Sequence, residues 1–344
     1  MLNAMAPNLR TPAPTLPLRP ALTGMALAAS LVLGAAGPAA AVQAAVDPNV
    51  APRAAELERQ GERQLATDLL GRYLAVAPDD GRAWFQLGRF YRLDARDWHR
   101  VGHAGEPDGE LYLELAGVAA DQALRLAVDS AQLLRGVIDM DRSLLFVEDS
   151  GWIAARDRRP RSGTQLPRVV VELGYNLLGS CPVNGVLVTG SELESVAVWY
   201  GVLEAGFRTD VVLLRTDLYA TDPLYRRRMA LALEVDSSMP VRGALAAVSA
   251  RRAVCLSPGA DTAAVQLERA LPVRLVRVIG AGPATAQTED NLSLTELLLD
   301  TRQGGSIWSR DVLGVYAGAA AHNNVLCSSL IVLAGDLPSG TCRR

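Results

Sequence analysis

Gly185-Val-Leu-Val-Thr-Gly190-Ser-Glu-Leu-Glu-Ser-Val-Ala-Val-Trp199-Tyr200-Gly-Val-Leu-Glu-Ala205, followed by Asp210-Val-Val-Leu-Leu-Arg215, is the stretch on which the fold reading turns. Gly185–Thr189 is a short apolar strand, and Glu192–Ala205 carries helical spacing. Ser191 and Glu194 form an S-x-x-E capping box, which starts a helix by satisfying two of its orphan N–H groups. Asp210–Arg215 is apolar and strand-like again. A strand, a capped helix and a second strand predict a parallel pair buried on both faces.

The same alternation extends outward. Leu166–Leu178 reads as a helix before the first strand. After the second come helix Pro223–Glu234, with Asp222 as N-cap and Pro223 at N1, and a helix around Val241–Ala250. Strand Ala253–Ser257, helix Thr262–Leu271 and strand Val273–Ile279 follow. Ser293 and Glu296 spell a second capping box, and Ser309–Leu337 reads as one or two long alanine-rich helices. The expected fold class is α/β, a mainly parallel doubly wound sheet, preceded by an N-terminal α-helical module. The expected divisions are a signal peptide at 1–44, a helical module at 48–142 with an insertion near 94–109, a connecting segment at 143–165, and the α/β domain at 166–344.

The first 46 residues hold no Asp or Glu and two arginines, Arg10 and Arg19. Met25–Leu33 is the most apolar run, Gly37-Pro38 breaks any helix, and small residues follow. That order is the secretory-signal pattern, and it predicts a periplasmic or secreted protein. An N-terminal anchor in the inner membrane is the alternative, since the uncharged stretch from Ala21 to Ala45 is long enough to span a bilayer. No stable span is expected after cleavage. The net charge of -3 gives no electrostatic case for nucleic acid. Every one of the 34 basic residues is arginine, a bias that fits a GC-rich genome.

Export permits disulfides. Among Cys181, Cys255, Cys327 and Cys342, the pair Cys327–Cys342 is expected, because Pro338 and Gly340 let the tail fold back. Cys255 reads as a buried free thiol within its strand. His99 and His103 stand at i,i+4, but Gly102 and Gly105 weaken a helix there and the Glu of H-E-x-x-H is missing. They read as surface loop residues, so neither a metal nor a cofactor is expected.

Trp84, Leu87, Gly88 and Tyr91 match the W-x2-L-G-x2-Y spacing of a tetratricopeptide repeat, with Pro78 six residues before the Trp. Gly88 would let two helices approach closely, while Trp84 and Tyr91 fill the groove between them. The segment resembles one such unit, with regular phase lost over Asp94–Gly109 and helical patterning resumed at Glu110–Arg135. An isolated repeat cannot bury both faces, so it must pack on the next domain or on a partner.

The stretch Asn184–Met229 also resembles the soluble extracytoplasmic domain of unknown function found in multi-pass, glycosyltransferase-like bacterial membrane proteins. The resemblance rests on Asn184–Tyr200, Gly206–Val212, Leu218 and Tyr225, with Ala250–Ser257 and Pro272–Val278 fitting later strands. It implies an extracytoplasmic accessory module often accompanied by tetratricopeptide repeats. That family places aspartates just after the glycine that ends the first strand. Here the positions are Ser191, Glu192 and Leu193, and no membrane-embedded transferase stretch accompanies them.

Two functional expectations result. The first is an exported, non-catalytic interaction or scaffold module with a protein partner in the cell envelope, engaging it through Trp84, Leu87, Gly88 and Tyr91 or using those residues for repeat packing. A purely structural periplasmic protein differs from this only in lacking a specific partner. The second is a carbohydrate- or nucleotide-sugar-related accessory enzyme or binding protein. It would use the strand-end loops at Thr189, Gly190, Ser191, Asp217 and Ser257, where ligands meet open α/β sheets.

Overall fold

The structure is a computed structural model that describes residues 49–100, 108–260, 270–280 and 292–334. The expected signal segment, His103, Cys342 and most of the Thr262–Leu271 helix lie outside these residues. So does the side chain of His99.

Five helices come first: α1 (Val50–Arg59), α2 (Arg63–Leu74), α3 (Gly81–Arg100), α4 (Asp108–Arg125) and α5 (Ser130–Ser150), each packed on the next. Asp80 starts α3 by accepting from the N–H groups of Arg82 and Ala83, at 2.9 and 3.0 Å. The α3–α4 seam is close because its residues are small. A Cβ on Gly88 would touch Ala116 O, Ala119 Cβ and Leu134 Cδ2 at 3.3, 3.4 and 3.2 Å. Glu110–Arg135 does not run on as one helix. Ala127 adopts a left-handed φ of 57°. Val128 N–H then bonds Ala123 O and Ala127 N–H bonds Leu124 O, the pairing that closes a helix C-terminus.

The expected boundary near residue 142 falls inside α5. That helix continues to Ser150, α6 (Trp152–Arg158) follows, and Val147, Trp152 and Ala155 join the same hydrophobic core as the sheet. Gly136 permits this docking: a Cβ there would overlap Leu166 and press on Val196 Cγ1.

The second half comprises α7 (Arg168–Ser180), β1 (Val186–Thr189), α8 (Glu192–Trp199) with a π turn at Tyr200–Glu204, and β2 (Val212–Arg215). Next are α9 (Thr216–Thr221), α10 (Pro223–Leu233), α11 (Val241–Ser249), β3 (Val254–Leu256), β4 (Leu271–Val273) and β5 (Val276–Ile279). The last described elements are α12 (Thr295–Arg302), α13 (Ile307–Ala320) and α14 (Asn324–Ala334).

The expectation of a mainly parallel doubly wound sheet is corrected here. Helices dominate the described chain, and the sheet is a small mixed one in the order β2-β1-β3-β5-β4. Only β1–β2 and β1–β3 are parallel, whereas β3–β5 and β4–β5 are antiparallel. The expected single strand Val273–Ile279 is split by a turn at Arg274, whose φ is 50°. Two residues cannot carry a parallel crossover, so β4 and β5 fold as a hairpin. Pro272 fits β4 because an edge strand tolerates a missing N–H.

Two further corrections concern single contacts. Cys255 is no free thiol: it is bonded to Cys181, joining β3 to the end of α7. Cys327 is likewise disulfide-bonded, but its expected partner lies outside the described residues. The Ser293/Glu296 box does not form. Glu172 of α7 caps α12 instead, accepting from the N–H groups of Glu296 and Leu297 at 3.1 Å each and from the Ser293 hydroxyl at 2.7 Å. Among the described residues, no helix is long and apolar enough to cross a membrane.

Candidate functional site

The switch point of this sheet lies between β1 and β3, because the chain leaves β1 for β2 on one side and returns to β3 on the other. A ligand crevice is expected outside the carboxyl ends of such strands. The structure gathers Thr189, Gly190, Ser191 and Ser257 there, around the buried carboxylate of Glu194. That carboxylate accepts from the N–H groups of Ser191 (3.0 Å), Gly190 (3.3 Å) and Gly259 (2.9 Å), and from the Ser257 hydroxyl (2.8 Å). The capping box read from the sequence is present, with Ser191 Oγ accepting from Glu194 N–H. The Thr189 hydroxyl shares a 2.8 Å bond with Ser195. A Cβ on Gly190 would overlap the Gly259 carbonyl, so the two loops are in direct contact. Donors that could have cradled an anion thus converge on the protein's own carboxylate.

Asp217 is outside this cluster. It pairs with Arg215 at the end of β2, at 2.6 Å, and that guanidinium holds its carboxyl below the ordinary value against the opposing effect of burial. Beside it, under α3 and α5, is a second polar region. Arg92 of α3 is buried and binds Asp141 of α5 at 2.5 Å and Glu192 at 2.8 Å. A neighbouring crevice is lined by Arg96, Leu113, Asp141, Leu144, Glu148, Leu218 and Asp222. Burial, reinforced by Asp222 and Asp141, pushes the Glu148 carboxyl up to about 9, so it carries its proton at neutral pH and hydrogen-bonds Asp222. Asp222 meanwhile caps α10 through the N–H groups of Leu224 and Tyr225.

Asp141 and Glu148 were not singled out from the sequence, although a signal exists. Leu134, Val137, Ile138, Asp141, Leu144, Leu145 and Glu148 follow one helical stripe, and a charge inside an apolar stripe must find a partner or a proton.

Trp84, Leu87, Gly88 and Tyr91 are all packing residues. Leu87 is buried, Trp84 and Tyr91 are half-buried against the α1–α3 core, and the Trp84 indole N–H donates to Pro78 O at 2.8 Å. Exposed apolar side chains occur on several elements, and on the outward face of α4 they form a row. Leu111, Leu115 and Val118 are 48%, 37% and 57% exposed there, while Leu113, Ala116, Ala120 and Ala123 on its other side are buried.

No known protein family, curated protein or solved structure matches this chain.

Proposed function

We propose that this chain is an exported accessory protein of the cell envelope that works by holding a protein partner on its helical half. The observation that carries this reading is the row Leu111, Leu115, Val118 on α4. Positions i, i+4 and i+7 lie on one helix face, and apolar side chains on a face that already has a buried opposite side serve no internal packing. Glu110, Glu114 and Asp121 are exposed beside the row, so the complementary partner is an amphipathic segment with an apolar stripe and basic flanks. The filled crevice at Glu194 supports a non-catalytic reading over a ligand bound in the strand-end loops.

The test is to tag the protein, recover it from envelope extract, and compare co-purifying proteins with those of Leu115→Asp/Val118→Asp. Both positions are exposed, so the variant keeps its fold, which a thermal melt verifies. A protein held by the native chain and lost from the variant supports the proposal. Identical partner sets for the two would sink it.

A further inference from the structure

A separate groove of about 420 Å³ opens between the first turns of α5, α7 and α13, with α12 along one side. Its volume falls in the roughly 300–1,000 Å³ range of small-ligand clefts. Arg168 stands on one wall, and Asp129 and Glu296 also line it, together with Gln303, Leu299 and the mostly buried Trp308. Among the described residues, Arg168 forms no ion pair, and neither the Asp129 nor the Glu296 carboxylate has a side-chain partner. Opposite charges that share one groove without closing on each other leave a guanidinium and carboxylates available to a guest.

We propose that this groove binds a zwitterion, a short unblocked peptide. Its carboxylate would lie on the Arg168 fork, its ammonium at Glu296 and Asp129, and its apolar side chain against Leu299 and the edge of Trp308. A guanidinium presents paired donors that match a carboxylate, and the carboxylates accept from an ammonium. A simple anion fits less well, because Asp129, Glu296 and Asp300 outnumber the one arginine in the lining. Asp300 is already engaged by the Ser306 hydroxyl and N–H, at 2.6 and 3.1 Å, so recognition falls to the other two. The groove shares no lining residue with the α4 row.

The test is calorimetric titration of the intact protein with the dipeptide Ala-Leu, beside its N-acetylated, C-amidated form and a neutral disaccharide. Saturable binding of unblocked Ala-Leu is expected, with none for the blocked peptide. Arg168→Gln and Glu296→Gln should each weaken binding by about tenfold or more, the scale of one charge-assisted contact. Both are surface substitutions, and a native melting profile confirms that loss of binding is not loss of fold. Absence of binding at millimolar Ala-Leu would overturn the proposal. So would equal binding of the blocked peptide, binding of the disaccharide alone, or affinity unchanged in both variants.

Discussion

Arg92 and Glu192 are 100 residues apart in the chain, yet one guanidinium nitrogen of Arg92 donates to both Glu192 oxygens, at 2.8 and 3.0 Å. The same side chain reaches Asp141 through Nε, so a single arginine fastens α3 to α5 and to the start of α8.

Removal of the arginine and removal of its exposed acidic partner should differ sharply. Arg92→Leu strips the buried Asp141 carboxylate of its ion-pair partner, and a loss of about 3–5 kcal/mol is expected in denaturant unfolding. Glu192→Gln removes a carboxylate whose side chain is 47% exposed, and should cost no more than about 1 kcal/mol. Equal losses would show that burial does not govern this network.

Glu148 predicts an acid-favoured fold. Its folded pKa is raised to about 9 from 4.5, so folding takes up a proton between those limits. The stabilisation is complete below pH 4.5 and declines by up to about 1.4 kcal/mol per pH unit until about 9. Glu148→Gln keeps a neutral hydrogen-bond donor toward Asp222 and removes the titration. The variant should be more stable than the native chain above pH 7, with a flatter profile. Parallel profiles for both would refute the assignment, which includes Asp141, Asp222 and Arg96 as the charged groups lining the same crevice.

The Cys181–Cys255 bond closes a separation of 74 residues. Loop-closure entropy for a loop of that length amounts to about 4 kcal/mol. Cys181→Ala/Cys255→Ala should lower stability by a few kcal/mol, read as a lower denaturation midpoint. Reduction of the native protein should act in the same direction.

Removal of Glu194 tests whether it fills an anion site. Glu194→Ala leaves the donors of Ser191, Gly259 and Ser257 converging on vacated space, and a loss above about 3 kcal/mol is expected for buried donors left unmade. Acetate should raise the melting temperature of the variant and not that of the native chain. If acetate affects both equally, the donors are not preorganised for a carboxylate.

Ala127 offers a gain. An alanine in the left-handed region at the end of α4 carries steric strain that glycine does not. Ala127→Gly should therefore raise stability by roughly 0.5–1 kcal/mol in thermal unfolding, and a lower stability would argue against the left-handed closure.

What was legible in the sequence was local. Ser191 with Glu194, and Asp222 with Pro223, announce helix starts because their hydrogen bonds span at most three residues. The apolar runs at β1, β2 and β3 likewise specify buried strands through their own composition. The Trp84–Tyr91 stretch lies within α3, whose seam with α4 at Gly88 is close. The rest depended on partners far away in the chain. Ser293 and Glu296 have the spacing of a cap, but Glu172, brought there by α7, outcompetes it with a carboxylate that accepts at both oxygens. Cys255 looked like a strand thiol until packing set β3 beside the end of α7. Direction within the sheet was equally hidden, because an apolar strand reads the same whether its neighbour runs parallel or antiparallel. The sequence by itself determined those starts whose caps are local, at α8 and α10, since those choices are made by bonds within a turn. Only the tertiary structure decided which carboxylates would be capped, paired or protonated, since that depends on which donors folding brings within about 3 Å.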